Sequence, residues 1–282
     1  MRYRLIFILI LLMGNFLIFS AVSSGPTLSG LQVHYLDVGQ GDATLLVGPT
    51  GNKMLIDGGP DRKILTALGR VLPSYDRRID VVVATHPDAD HIGGLIAVLE
   101  NYDVRYFLTT GATTSTEISR TLERLVTARQ IERIVVRTGF VLHFDEQVLY
   151  TVLFPNTDVN GWETNKGSIV ARVSHGQNDF LFTGDSPQEI ELQLVREMPS
   201  VLDSEVYKVG HHGSRTSSAE SFVRLVSPDY SVISAGLDNR YGHPHPTVLE
   251  TLSTWGGAVL TTFASGSIQL MSDGETLSIV SD

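Results

Sequence analysis

The 282-residue chain has no cysteine, and this absence limits how it can bind metal and how it can be stabilised. Disulfide bonds and thiolate ligands are excluded, so a metal ion would be held by histidine nitrogens and carboxylate oxygens. Basic residues are scarce as well, since 21 Lys and Arg face 31 Asp and Glu and the formal net charge is −10. Such a chain has no general attraction for nucleic acid or anionic lipid. A phosphodiester substrate would therefore depend on bound metals and a few local cations.

An apolar run extends from Leu5 to about Val22, behind Arg2 and Arg4. Its length is near the lower limit for crossing a bilayer, roughly 17–25 residues. The two arginines predict that the N-terminus stays in the cytoplasm and that the remainder lies outside it. Residues 1–22 are expected to be a single-pass membrane anchor or a signal peptide. A signal peptide would be cleaved, and the protein would then be secreted. The length of the run favours the anchor.

Residues 23–30 read as a Ser- and Gly-rich linker, and residues 31–282 as one domain without repeats or a second linker. Strand-like and helix-like segments alternate in two halves of this domain. Examples are a buried strand over Ile79–Thr85, a helix over Gly93–Glu100 and a strand over Asp179–Thr183. This alternation predicts an α/β fold with sheets in the middle and helices outside.

A short loop between the strand over Ile79–Thr85 and the helix over Gly93–Glu100 is rich in metal-ligand side chains. Four of its six residues have such side chains: His86, Asp88, Asp90 and His91. The first two can share one metal, and the last two, entering the helix, can face a second. Burying four such groups without a cation would be costly. The loop therefore predicts a metal site at the end of a strand.

Four other motifs accompany this loop: Leu36–Ala43 (LDVGQGDA), Leu55–Gly59 (LIDGG), Thr183–Asp185 (TGD) and His211–Ser214 (HHGS). In this order and spacing they resemble the hydrolase domain of the ComEC-type DNA-uptake proteins, within the metallo-β-lactamase superfamily. The loop itself is similar to the superfamily signature His-x-His-x-Asp-His, with Asp88 where the second His usually stands. The resemblance implies a four-layer αβ/βα sandwich with two mixed β-sheets. It also implies two divalent metal ions.

The resemblance implies further ligands for those two ions. Asp185 would be the carboxylate that bridges them, although an Asp after a strand can also cap the following helix, a role that Ser186 could fill instead. His211 would complete the second metal's ligands, and its neighbour His212 would contact a ligand or the substrate. With Asp88 replacing a His, the first site is rich in oxygen, which shifts its preference from Zn²⁺ towards Mn²⁺.

Residues outside the ligand set are implied in positioning and substrate binding. Asp57 would orient a ligating His, or serve as an ordinary turn residue, and the same alternative applies to Asp42. Three residues are implied in substrate contacts: Asn165, Ser168 and Lys208. A lysine before the double His could pair with a phosphate, or simply be solvated. His243 is a candidate general acid or substrate contact, whereas His245 reads as structural.

These residues together predict a metal-dependent hydrolase of phosphodiester bonds. Asp90 or Asp185 would orient the attacking water, and His243 or His212 would protonate the leaving oxygen. The resemblance suggests a nuclease that degrades one DNA strand outside the cytoplasm during competence-type uptake. Its partners would be single-stranded DNA, the membrane and a separate uptake channel.

Two other functions remain open at this point. One is a cell-wall phosphodiesterase similar to the teichoic acid phosphorylcholine esterases, which share the double-His motif. The other is a non-catalytic, membrane-tethered partner of an uptake channel. A β-lactamase or lactonase ranks lower, because the usual His ligands are missing.

Overall fold

The computed structural model describes Arg4, Phe7, Leu11–Gly14 and Gly30–Val280. Within this part of the chain, no helix has both the length and the apolar character required to cross a membrane. The predicted anchor or signal peptide over 1–22 and the linker over 23–30 lie for the most part outside the described residues.

The first sheet is assembled from both ends of the domain. Its strands are β1 (Leu31–Tyr35), β2 (Thr44–Val47), β3 (Lys53–Ile56), β4 (Arg78–Ala84), β5 (Asp103–Thr109), β6 (Glu132–Val135), β14 (Ile268–Ser272) and β15 (Leu277–Val280). They lie in the order β15-β14-β1-β2-β3-β4-β5-β6. Pairing is antiparallel from β15 to β3 and parallel from β3 to β6. The sheet is therefore mixed, as expected.

The second sheet has the same mixed character. Its strands are β7 (Val141–Asp145), β8 (Val148–Phe154), β9 (Val170–His175), β10 (Asn178–Phe182), β11 (Val206–Lys208), β12 (Tyr230–Ile233) and β13 (Ala258–Thr261). They lie in the order β13-β12-β11-β10-β9-β8-β7. Pairing is parallel from β13 to β10 and antiparallel from β10 to β7.

Helices cover the outer faces of the two sheets. They are α1 (Lys63–Val71), α2 (Ala89–Asn101), α3 (Glu117–Ala128), α4 (Gln188–Glu197), α5 (Glu220–Val226), α6 (Pro246–Trp255) and the single turn α7 (Thr262–Ser265). One apolar core lies between the sheets, and it contains Val33 and Phe180. A second packs α1–α3 on the first sheet, and a third packs α4–α6 on the other. These layers are the predicted αβ/βα sandwich, and the fold class is confirmed.

The helix after the histidine loop begins earlier than expected. It starts at Ala89, whereas the sequence suggested Gly93. Gly93 and Gly94 do not open the helix but let it touch the loop after β3. A Cβ on Gly94 would lie 1.9 Å from the carbonyl oxygen of Gly58. As a result, Asp90 and His91 lie in the first helical turn and are held against the end of β3.

The strand β7 was not predicted, because its burial does not alternate and its register with β8 shifts between His143 and Asp145. The strands predicted over Ile79–Thr85 and Asp179–Thr183 are each displaced by one residue, to Arg78–Ala84 and Asn178–Phe182. In each sheet the parallel strands end at the same edge. There the ends of β3 and β4 lie beside the ends of β10, β11 and β12. Ligands bind at such strand ends in sheets of this kind.

Candidate metal centre

Two histidines and one aspartate from opposite sheets converge at this edge. His86 follows β4, His91 lies in the first turn of α2, and Asp185 follows β10. The ring centroids of His86 and His91 are 4.1 Å apart. Nε2 of His91 lies 3.2 Å from Oδ1 of Asp185. All three residues are buried, and their ligand atoms lie within 4.8 Å of one another.

His212 adds further potential ligands to the same point. Its Nε2 lies 3.3 Å from Oδ2 of Asp90 and 3.8 Å from Oδ2 of Asp185. Ligand atoms also lie within 4.8 Å of one another in two further groups: Asp90, His91 and His212, and Asp42, Asp185 and His212. Because these groups share members, they form one continuous centre. We use the name metal centre for five of its residues: His86, Asp90, His91, Asp185 and His212.

The inner atoms of the metal centre have no protein hydrogen-bond partner. Nε2 of His86, His91 and His212 and Oδ1 of Asp185 are all buried and make no hydrogen bond, although each Nε2 faces a carboxylate oxygen at a distance of 3.2 to 3.9 Å. A buried polar atom without a partner costs about 1–3 kcal/mol, so four at one point require an explanation. Imidazole nitrogens and carboxylate oxygens are ligands for Zn²⁺ and Mn²⁺. The residues present therefore fit a divalent cation.

The outer nitrogen of each histidine is held by the protein. Nδ1 of His91 lies 2.7 Å from Oδ2 of Asp57, and Nδ1 of His86 lies 3.0 Å from Oγ1 of Thr85. Thr85 in turn donates its hydroxyl and its amide to Asp57, at 2.7 and 2.9 Å. The Asp57–Thr85 pair thus fixes both rings with Nε2 directed inwards, a common arrangement around metal-binding histidines.

The double-His segment has an unusual backbone. His211 and His212 have φ values of 48° and 55°, in the left-handed region that residues with a Cβ seldom adopt. The buried hydroxyl of Ser217 donates to the carbonyl of Gly210 at 2.7 Å and stabilises this segment. The turn gives the two rings different environments, because His212 is 1% exposed while the His211 side chain is 25% exposed.

Opposite charges dominate the electrostatics of the metal centre. Burial lowers the pKa of His91, but the attraction of Asp185 and Asp57 outweighs it and holds the pKa well above its ordinary value. For His212, burial is likewise outweighed by Asp185 and Asp42, and the pKa rises to about 10. Burial and the charge of His91 instead lower the pKa of His86. Despite its burial, Asp185 is held in the ionised form, because His91 and His212 keep its pKa well below the usual range.

Two predicted ligands lie at the periphery of this centre. The side chain of Asp88 is 37% exposed, and its Oδ2 is 3.8 Å from Nε2 of His86. Nε2 of His211 is 3.7 Å from Oδ2 of Asp185. Neither residue belongs to the groups of ligand atoms described above. His211 was predicted to complete the second metal's ligands, whereas the buried histidine beside Asp185 and Asp90 is His212.

The alternative role of Asp185 as a helix cap is not observed. Pro187 occupies the N-cap of α4, and no side chain caps that helix. Ser168, predicted to contact substrate, is instead fully buried and accepts a hydrogen bond from the amide of Asp185 at 3.3 Å. Ser168 has no exposed surface, and its contact with substrate stays a prediction. Its hydrogen bond supports the backbone that carries Asp185.

Lys208, predicted to pair with a phosphate, is buried beside a carboxylate. Lys208 is 3% exposed, and its Nζ lies 2.9 Å from the carboxylate of Asp42. Asp42 also lies 3.1 Å from Nδ1 of His212. From the sequence, Asp42 was either a turn residue or a residue near the site. Its contacts with Lys208 and His212 were not predicted. The sequence signal for this pairing was the strand pattern around Lys208, because a lysine in a buried strand needs a carboxylate partner.

Residues of the loop before α6 lie at the rim of the site. The ring of His243 is 5.7 Å from that of His211, and burial together with the nearby histidines lowers the pKa of His243 to about 4. His245 caps α6 through its contact with the Thr247 amide, in keeping with a structural role. Asn165 is half-buried, and its Oδ1 has no hydrogen-bond partner.

Residues 36–236 match the family model described as the Metallo-beta-lactamase superfamily. The chain belongs to this superfamily. The match covers both halves of the sandwich and includes every residue of the metal centre. Membership agrees with the resemblance drawn from the sequence motifs.

Three curated proteins are similar to this metallo-β-lactamase superfamily member, and the names of two of them refer to recombination or competence. ComE operon protein 3 of Bacillus subtilis (strain 168) is 30% identical over 258 residues, which are 84% of this chain and 32% of the relative. Recombination protein 2 of Haemophilus influenzae is 32% identical over 271 residues, 95% of this chain and 32% of the relative. Competence protein ComA of Neisseria gonorrhoeae is 32% identical over 243 residues, 83% of this chain and 31% of the relative. The chain thus spans about a third of the length of these relatives.

Solved structures share the architecture at low sequence identity. The diiron β-hydroxylase CmlA from Streptomyces venezuelae has a TM-score of 0.57 at 16% identity, over 88% of this chain and 55% of that one. The metallo hydrolase Igni18 from Ignicoccus hospitalis has a TM-score of 0.56 at 16% identity, over 84% and 98% of the two chains. At this identity the likeness concerns the fold alone.

Proposed function

We propose that this protein is a metal-dependent phosphodiesterase that acts on DNA outside the cytoplasm during competence-type DNA uptake. One observation carries the proposal: three buried histidine Nε2 atoms and a buried carboxylate oxygen converge without hydrogen bonds. Such a set is costly to bury in the absence of a cation, and it suits a pair of divalent cations.

The donor set favours a phosphodiester over a β-lactam. The metal centre contains Asp90 and Asp185 beside its histidines, with Asp88 at its edge. Carboxylate ligands shift the preference of a site towards hard ions such as Mn²⁺, and hard ions suit phosphate oxygens. The competence relatives point to nucleic acid as the source of that phosphate.

In the proposed mechanism the metal ions and the protein have separate tasks. Two divalent cations would supply Lewis acidity, which polarises a phosphodiester and makes water a stronger nucleophile at neutral pH. The carboxylates of Asp90 and Asp185 then accept hydrogen bonds from that water and orient it. Asp57 and Thr85 keep the rings of His86 and His91 aligned throughout.

The role of the rim histidine follows from its protonation. His243 has a pKa of about 4, because burial and neighbouring histidines disfavour its charged form. At neutral pH it is uncharged, so it would not serve as the general acid that the sequence suggested. An uncharged imidazole can still donate one hydrogen bond to a leaving oxygen. We therefore assign His243 to substrate contact and His212 to metal binding.

The direct test is hydrolysis by the full chain loaded with Mn²⁺ or Zn²⁺. Substrates are single-stranded DNA, duplex DNA and a choline phosphodiester, which separates the nuclease from the cell-wall alternative. We expect cleavage of DNA, loss of activity on chelation, and loss in Asp90→Ala. Asp103→Asn is the matched control, because Asp103 is exposed at the opposite end of β5. Full activity after chelation would refute the proposal, and a folded, metal-loaded protein inert on all substrates would favour the non-catalytic partner.

A further inference from the structure

An anionic substrate needs a cation near the metal centre, and the lysine predicted for that task is occupied. Lys208 is buried against Asp42. The chain as a whole carries a net charge of −10 and repels a polyanion. A cation at the rim of the site would therefore have a large influence on substrate binding.

The loop that leads to His243 presents such a cation. Asn239 holds this loop in shape: its Nδ2 donates to the carbonyl of Gly236 at 2.9 Å, and its Oδ1 accepts from the amides of Tyr241 and His243 at 3.2 and 3.1 Å. Three residues lie between Asn239 and His243, and all of them are exposed: Arg240, Tyr241 and Gly242. The loop is thus fixed at its base and open at its tip.

Arg240 is held against its neighbour. Its guanidinium lies 4.8 Å from the ring centroid of Tyr241, and Nη2 donates to the Tyr241 hydroxyl at 2.6 Å. Both contacts are with an uncharged side chain. A guanidinium fixed in this way loses less conformational entropy on binding a ligand than a freely rotating one, and its planar donors match a phosphate.

A chain of rings connects Arg240 to the metal centre. Tyr241 stacks on His243 with centroids 5.8 Å apart and planes inclined by 23°. His243 contacts the ring of His211, whose Nε2 is 3.7 Å from Asp185. Arg240 therefore lies at the outer end of a series of ring contacts that leads to the metal centre.

We propose that Arg240, stacked on Tyr241, binds a phosphate group of the substrate beside the metal centre. The proposal deepens the phosphodiesterase function and rests on it for the identity of the substrate. Arg240 is then a substrate-binding residue, and Tyr241 is the positioning residue that holds its guanidinium. Single-stranded nucleic acid would place a phosphate next to the scissile one within reach of this guanidinium.

The test compares Arg240→Gln with the wild-type full chain loaded with Mn²⁺. Two quantities are measured: the KM and kcat for a short single-stranded oligonucleotide, which carries phosphates next to the scissile one, and the Kd for inorganic phosphate by calorimetry. We expect Arg240→Gln to raise both KM and Kd about tenfold, equivalent to about 1.4 kcal/mol, with kcat and metal content unchanged. Arg240→Lys should recover part of the loss, since it keeps the charge but not the planar donors. Added salt should raise the KM of the wild type more than that of Arg240→Gln.

Arg105→Gln is the matched control. Arg105 is also exposed, and its guanidinium lies 4.9 Å from the ring of the following residue, Tyr106. It lies near the start of β5, at the end of the sheet remote from the metal centre. Equal KM and Kd values in Arg240→Gln, Arg105→Gln and the wild type would overturn the inference, as would absence of phosphate binding to the wild type. Phosphate binding that depends on Arg240, without hydrolysis of any diester, would support the inference while refuting the proposed function.

Discussion

Oδ2 of Asp57 lies 2.7 Å from Nδ1 of His91, and the same carboxylate accepts both hydrogen bonds from Thr85. Asp57 is 1% exposed and has a φ of 58°, an uncommon conformation for a residue with a Cβ. Such backbone strain persists where the surrounding contacts require it, here the hydrogen bonds of the Asp57 carboxylate. Asp57 is the point at which the end of β3 fixes the rings at the end of β4 and the start of α2.

Asp57→Asn should weaken metal binding without removing a ligand. The amide cannot accept from Thr85 and His91 as the carboxylate does, so the rings lose their fixed orientation. We expect metal affinity to fall about 10–100-fold, as for comparable outer residues of metal sites. Calorimetric titration with Zn²⁺ or Mn²⁺ measures it, with Asp103→Asn as the control. Unchanged affinity in Asp57→Asn would show that the contact does not position the ligands.

The two adjacent histidines should respond differently to removal. His212→Ala takes a buried Nε2 out of the metal centre, so the bound metal should fall by one ion per chain. His211→Ala removes a ring at the periphery and should leave the stoichiometry unchanged. Elemental analysis of the purified variants distinguishes them. The reverse pattern would restore His211 as the ligand, as the motif alone suggested.

Metal binding should release protons at neutral pH. In the metal-free protein His212 has a pKa of about 10, and that of His91 is also well above its usual value, so both rings are protonated at pH 7. Metal must displace these protons from Nε2, so affinity should rise as the pH increases from 7 towards 10. Titrations at pH 7 in buffers of different ionisation enthalpy measure the released protons. Binding without proton release would contradict the charge state inferred here.

Lys208 should matter for stability more than for substrate affinity. In Lys208→Met the carboxylate of Asp42 is left buried without its cation, and removing one partner of a buried pair costs about 3–5 kcal/mol. Because both single variants break the same ion pair, the double variant Asp42→Asn/Lys208→Met should lose less stability than the sum of the losses in the two single variants. Urea unfolding measures all three. A raised KM with unchanged stability would instead support the original phosphate-binding role.

Glu191 predicts a pH dependence of stability away from the metal centre. It is fully buried and accepts hydrogen bonds from the amides of Ser218 and Ala219, while burial raises its pKa to about 7. A raised folded pKa stabilises the fold fully below the unfolded value of 4.5, and the contribution is lost as pH rises to about 7. The free energy of unfolding should fall by at most about 1.4 kcal/mol per pH unit in this interval.

Glu191→Gln should remove that dependence. Its free energy of unfolding relative to the wild type is measured by urea titration between pH 4.5 and 7.5. Glu189→Gln, on the exposed side of the same helix, serves as the control. A difference between Glu191→Gln and the wild type that stays constant over this interval would mean that Glu191 ionises with an ordinary pKa in the folded protein.

Apolar runs such as Ile79–Thr85 were sufficient for the α/β class and for the strand ends, because they define where the chain leaves a sheet, and the motif resemblance implied the four-layer sandwich. The sequence could not decide features that depend on residues distant in sequence. Lys208 meets Asp42 only once the two sheets pack together, 166 positions apart. Which of His211 and His212 faces inwards depends on a left-handed backbone that no composition rule predicts. Gly93 and Gly94 suggested a helix start, but their function is close contact with the loop after β3.

The most direct test of the metal centre is the hydrolysis of a single-stranded oligonucleotide by wild type and Asp185→Asn. Both proteins are loaded with Mn²⁺ and compared at equal folded concentration, judged by circular dichroism. The wild type should cleave the strand, and Asp185→Asn should bind less metal and lose at least about 99% of the rate, as expected when a charge that holds the reacting groups is removed. Equal rates in the two proteins, or cleavage that persists in excess chelator, would contradict a metal-dependent phosphodiesterase built on this site.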